Sequence, residues 1–80
     1  MNIGSAVKKR ILELCAERHI TVNKLATISG VTQSTLNNII NGRNHSTTIS
    51  TIKKLCDALE ITLGQFFSTP EFDALEQEIQ

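Results

Sequence analysis

The sequence predicts an all-α fold, a compact bundle of five short helices with room for one more short helix at the C-terminal end. Three observations predict it. Apolar residues recur at three-and-four spacing through one segment after another, the period of a helix buried on one side. The 80 residues are 40% hydrophobic but only 4% aromatic, which suits a core of Ile, Leu and Val, and no strand-rich stretch competes. One pattern of helix start also recurs: a threonine N-cap follows an aliphatic residue and precedes an apolar one four positions on, as in Ile20-Thr21-Leu25, Val31-Thr32-Leu36 and Ile61-Thr62-Phe66. That arrangement combines an N-cap with a hydrophobic staple. Eighty residues make one domain, near the size where a single core suffices without cross-links.

Helix 1 is expected from about Gly4 to Arg18, with Val7, Ile11, Leu14 and Cys15 as its inner stripe. Helix 2 follows from Val22 to about Ser29, placing Val22, Leu25, Ala26 and Ser29 on one side. Gly30 ends it, because glycine adopts the left-handed C-cap conformation without steric cost. Thr32 then caps helix 3, which Asn41-Gly42 terminates, and Arg43 to Thr47 form a polar loop. Thr48 caps helix 4, with Ile49, Ile52, Leu55, Cys56 and Leu59 facing the core and Lys53 and Lys54 facing out. Ile61 and Thr62 open helix 5, where Leu63, Phe66 and Phe67 close the bundle.

The chain divides at that point, into residues 1–68 and an acidic segment of residues 69–80. Pro70 suits the first turn of a further helix, and Phe72, Leu75 and Ile79 would line a narrow apolar stripe on it. A segment so short is not stable alone, so it docks on its own domain, pairs with a second copy or stays loose.

Helix 3 carries the chemistry. Leu36, Ile39 and Ile40 fall on one side, while Ser34, Asn37, Asn38 and Asn41 fall opposite and Gln33 projects at the N-terminal end. This outer face holds no charge. Its amides and hydroxyl both donate and accept hydrogen bonds, which is what reading the edges of base pairs requires. Large apolar or aromatic anchors, expected of a face that binds a protein partner, are missing from it.

The residues Ala26, Gly30, Thr32-Gln33, Leu36, Ile39 and Asn41-Gly42, with the following loop and the run from Thr48 to Phe67, resemble the helix-turn-helix of the Xre family, the Cro-like and lambda-type phage repressors. The resemblance covers roughly residues 6–67. It implies a lambda-repressor-like five-helix bundle and a DNA-binding transcriptional regulator, a repressor, with helix 3 in the major groove and helix 2 crossing the backbone above it. It further implies base contacts from Gln33, Ser34, Asn37 and Asn38, and phosphate contacts from Thr32, Asn41 and Arg43. Many members begin helix 2 with Gln where this chain has Val22, so Asn23 or Lys24 is expected to replace that backbone contact. The implied partner is double-stranded DNA carrying a pseudo-palindromic operator, bound by a homodimer. The bundle end around helix 5 is the expected dimer contact, with the Phe72, Leu75 and Ile79 stripe assisting.

Charge distribution fits that partner better than the total does. Formal net charge is zero, yet residues 1–54 hold all eight basic side chains against Glu13 and Glu17, and residues 55–80 hold six acids and no base. A local electropositive patch, not the total, governs attraction to phosphate, although Lys8, Lys9 and Arg10 also read as an ordinary solvated helix face.

Other function classes find little support. Cys15 and Cys56 sit at apolar helical positions and read as small buried hydrophobes, and with His19 and His45 they match no zinc spacing, so no metal or cofactor is expected. His19 reads as a helix-end residue near the C-terminal carbonyls. No nucleophile-base set or phosphate-cradling glycine loop is present, and no enzyme is expected. Neither a membrane-spanning run nor a signal peptide is present, so the expected location is the cytoplasm. The chain shows no sensing domain before Gln80, so regulation is expected to come from abundance, assembly or a partner. The competing reading is a protein-interaction module, or an antitoxin component, on the same fold.

Overall fold

The computed structural model describes residues 2–42 and 47–79. Its described residues hold six helices and no strand: α1 (Ile3–Glu17), α2 (Val22–Ser29), α3 (Gln33–Ile40), α4 (Ile49–Leu59), α5 (Leu63–Phe67) and α6 (Pro70–Asp73). The expected boundaries of the first five hold to within a residue or two.

Threonine makes the starts of four helices. The hydroxyl oxygens of Thr21, Thr32, Thr48 and Thr62 accept the N–H of Lys24, Thr35, Thr51 and Gln65, each satisfying a donor that the helix itself leaves orphaned. At α5 the cap is reciprocal, because the Gln65 side chain accepts the Thr62 N–H at 2.8 Å.

The ends of α1 and α4, neither of which has a glycine, share one corner. Ile20 N–H donates to Cys15 O and His19 N–H to Ala16 O; Ile61 N–H donates to Cys56 O and Glu60 N–H to Asp57 O. His19 and Glu60 stand in the left-handed region, φ 54° and 57°, closing a Schellman-type end, and the isoleucine after each belongs to the next helix's staple. The repeated Cys-x-x-x-x-Ile-Thr at residues 15–21 and 56–62 is the written form of this corner.

The core gathers Val7, Ile11, Leu14 and Cys15 from α1, Leu25 and Ala26 from α2, Leu36 and Ile39 from α3, Ile52, Leu55, Cys56 and Leu59 from α4, and Phe66 from α5. No polar or charged residue is buried among the described ones. Phe66 is fully enclosed, and Phe67 meets its ring edge-on at 4.9 Å. Burying a ring of this kind contributes about 1.5–3 kcal/mol.

Two expectations are corrected here. Ile49, expected in the core, is 65% exposed: it is the first residue of α4, ahead of the turn at which that helix meets the bundle. The C-terminal stripe of Phe72, Leu75 and Ile79 does not form, because α6 ends at Asp73 after one turn and Ile79 is 87% exposed. Phe72 instead packs on the bundle, 5.0 Å from Phe67 and near-perpendicular to it, while Glu71 pairs with Lys9 of α1. Of the three fates open to this segment, docking on its own domain describes α6.

Candidate nucleic-acid interface

Three residues, Gly30, Val31 and Thr32, join α2 to α3. Gly30 takes φ 74° and its N–H donates to Ala26 O, which stops α2. Ser29, expected on the buried face, is half-exposed and also braces the turn from inside, where its hydroxyl donates to Ala26 O and accepts the Val31 N–H. A serine directly before a capping glycine is the signal that could have shown it. Val31 is buried and Thr32 caps α3, so both flanks of the turn are fixed.

The inner side of α3 is held by Leu36 and Ile39, fully covered, with Ile40 half-buried. Its outer side presents Gln33, Ser34, Asn37 and Asn41 exposed and Asn38 half-buried. Among the described residues, none of these five side chains is engaged in a hydrogen bond. The structure thus brings all four expected base readers onto one helix, their donors and acceptors unengaged among the described residues. Thr32 differs, since its hydroxyl donates to Thr35 Oγ1 at 2.8 Å while accepting the Thr35 N–H. Asn23 and Lys24 are exposed in the first turn of α2. Arg43, and with it His45, lies outside the described residues.

Several basic residues serve the fold, which sequence reasoning could not see. Arg10 of α1 donates to the carbonyls of Phe66 and Gln65 at 2.7 and 2.8 Å, and Arg18 donates to Leu59 O at 2.7 Å. These are the last carbonyls of α5 and α4, where orphaned acceptors and the helix dipole both favour a cation. Lys9 pairs with Glu71 and Lys53 with Asp57, and in each pair the carboxylate raises the lysine's pKa. Lys8, Lys24 and Lys54 make no ion pair among the described residues. The electropositive body expected from composition is therefore partly committed to capping and to the C-terminal segment.

Cys15 and Cys56 are buried and free, and burial pushes both thiols up, so they stay protonated at neutral pH. Among the described residues no cluster of three His, Cys, Asp or Glu side chains could hold a metal, and no helix is long and apolar enough to cross a membrane.

The family of Cro/C1-type HTH DNA-binding domains matches residues 10–71, the span that contains α2, the glycine turn and α3. The chain belongs to this family. Within it, the chain is 43% identical over 53 residues to the HTH-type transcriptional repressor RghR of Bacillus subtilis (strain 168), a match covering 66% of this chain and 39% of that protein. It is 38% identical over 53 residues to the uncharacterized HTH-type transcriptional regulator RghRB of the same organism, covering 66% and 38%. The match thus spans about two fifths of these relatives' length. The crystal structure of the prophage Lp1 protein 11 superposes with a TM-score of 0.83 at 36% identity, over 94% of this chain and all of that one. In this Cro/C1-type domain α3, with its exposed amide face, follows α2 across the glycine turn.

Proposed function

We propose that the protein is a sequence-specific transcriptional regulator, acting as a repressor, that reads double-stranded DNA by laying α3 in the major groove. The observation that carries this reading is the uncharged row of Gln33, Ser34, Asn37 and Asn38, unengaged among the described residues and set on a helix whose opposite side is locked into the core. Gln and Asn pair bidentately with adenine, each good pair being worth about 1–3 kcal/mol of discrimination. Phosphate contacts come from Thr32, Asn41, Arg43, Asn23 and Lys24. Thr32 contributes through the free main-chain N–H groups at the start of α3, its hydroxyl being held by Thr35. Membership of a DNA-binding family and likeness to a named repressor over 53 residues support the assignment.

The protein acts as a homodimer on a pseudo-palindromic operator in the cytoplasm. One α3 reaches only a few base pairs, so two copies on half-sites about 34 Å apart supply the affinity and selectivity a single module lacks. The test is selection of bound duplexes from a random pool by the purified protein. Enrichment of a two-fold symmetric site occupied by two protomers is the expected result. Recovery of no preferred sequence, at salt low enough for binding, refutes base reading.

A further inference from the structure

Beyond α6 the chain stays against the bundle. Residues 75–79 are non-helical, and Leu75, Glu76, Gln77 and Glu78 share a hollow of about 330 Å³ with Asn2 and Ile3, where α1 begins. Glu78 also lines an apolar groove of about 290 Å³, together with Ile3 and Val7 of α1, Phe67 of α5, and Thr47 and Ile49 where α4 begins. The segment therefore crosses from the end of α5, over the start of α1, to the start of α4. Its base is anchored by Phe72, 5.0 Å from Phe67, and by the Glu71 pair with Lys9. What it carries across is charge, because Glu76 and Glu78 are exposed and make no ion pair among the described residues. We propose that residues 75–79 are an autoinhibitory strap, which holds Glu76 and Glu78 near the start of α4, where the two carboxylates repel phosphate and weaken DNA binding. The proposal rests on the DNA-reading assignment above and adds a means of regulating it.

Two considerations explain why the acids lie there and how large their effect is. The first turns of α1 and α4 contain no acidic residue, so neither helix offsets the partial positive charge of its own N-terminus, about half an elementary charge. The strap brings the missing acids. Thr47 shares the groove with Glu78, and Arg43, assigned above to phosphate, is four residues upstream, a reach of at most about 14 Å. At that separation in water, each unscreened pair of like unit charges weakens binding about 1.6-fold, so two carboxylates against two or three phosphates compound to about three- to tenfold. The screening length is about 30 Å at 10 mM salt and about 8 Å at 0.15 M, so the repulsion is felt at the first and largely lost at the second.

The experiment compares the chain with its Glu76→Gln/Glu78→Gln variant in titrations of the selected operator and of a duplex of unselected sequence, at about 10 mM and about 0.15 M salt. The control is Glu17→Gln/Glu60→Gln, which makes the same change of net charge at the far ends of α1 and α4. The strap variant should bind both duplexes about three- to tenfold more tightly at the lower salt and less than about twofold more tightly at the higher, giving a steeper salt dependence. The control should gain less than half as much. Without DNA, Glu78→Gln should move the amide resonances of Gly4 and Thr47, which line the groove with it. Unmoved resonances, no gain on either duplex, or an equal gain in the control overturns the strap and leaves the DNA reading intact. Failure of every chain to bind any duplex at the lower salt overturns the DNA reading itself, and the role of the strap with it.

Discussion

Two polar residues, Arg10 and Gln33, show how tertiary context divides function from support. Arg10 sits in a basic run and looks available to phosphate, but it donates to two terminal carbonyls of α5. Arg10→Ala should lower stability by about 1–3 kcal/mol in denaturant titration while leaving the salt dependence of DNA binding unchanged, because hydrogen bonds from a charged donor are worth about that much and no phosphate contact is lost. A flatter salt dependence would show that the guanidinium reaches DNA. Gln33 and Asn38 should behave oppositely. Replacing either by Ala is expected to leave the thermal midpoint near wild type, reduce preference for the operator over random DNA by about 1–3 kcal/mol, and keep the salt slope. Equal losses on both DNAs would remove them from base reading. The amide face was legible in the sequence because helical period alone assigns it; the role of Arg10 was not, because its acceptors lie 55 and 56 residues away.

At the scale of elements, helix ends decide where things point. His19 and Glu60 occupy left-handed conformations that cost a non-glycine residue about 1–2 kcal/mol. His19→Gly should therefore stabilise the domain by up to about 1 kcal/mol, the gain being reduced by the greater freedom glycine gives the unfolded chain; a lower thermal midpoint would mean that the imidazole contributes a contact of its own. At the other end of the chain, α6 is held by Phe72 and by the Lys9–Glu71 pair. The Lys9 hydrogen bond lowers the Glu71 carboxyl below its ordinary 4.5, so its contribution to docking is complete above that value and lost as pH falls through the lowered one. The ring proton resonances of Phe72 should move with that acid titration, and a Glu71→Gln variant should remove the movement. Threonine caps and aliphatic staples were readable locally, whereas the reciprocal Thr62 to Gln65 cap came from the structure. The early stop of α6 was not: a pattern extending to Ile79 carries no information about whether a neighbour exists to bury it.

For the whole molecule, eight bases and eight acids cancel, and the fold decides which bases remain for DNA. With Lys9, Lys53, Arg10 and Arg18 committed within the domain, the salt slope should fall by about one per protomer on Lys24→Ala or Arg43→Ala and stay constant on Lys9→Ala. A slope that responds to Lys9 would place the start of α1 against the backbone. The sequence by itself determined the bundle, the ends of the first five helices and the exposed amide face of α3, because each rests on contacts within a few residues: periodicity, caps and a glycine that must turn left. Only the tertiary structure decided that Ile49 stands outside the core beside an open groove, that Phe72 docks while Ile79 does not, and that Arg10 and Arg18 reach the carbonyls of α5 and α4. Those outcomes depend on which surfaces distant segments bring together, and side-chain spacing along one chain does not encode that distance.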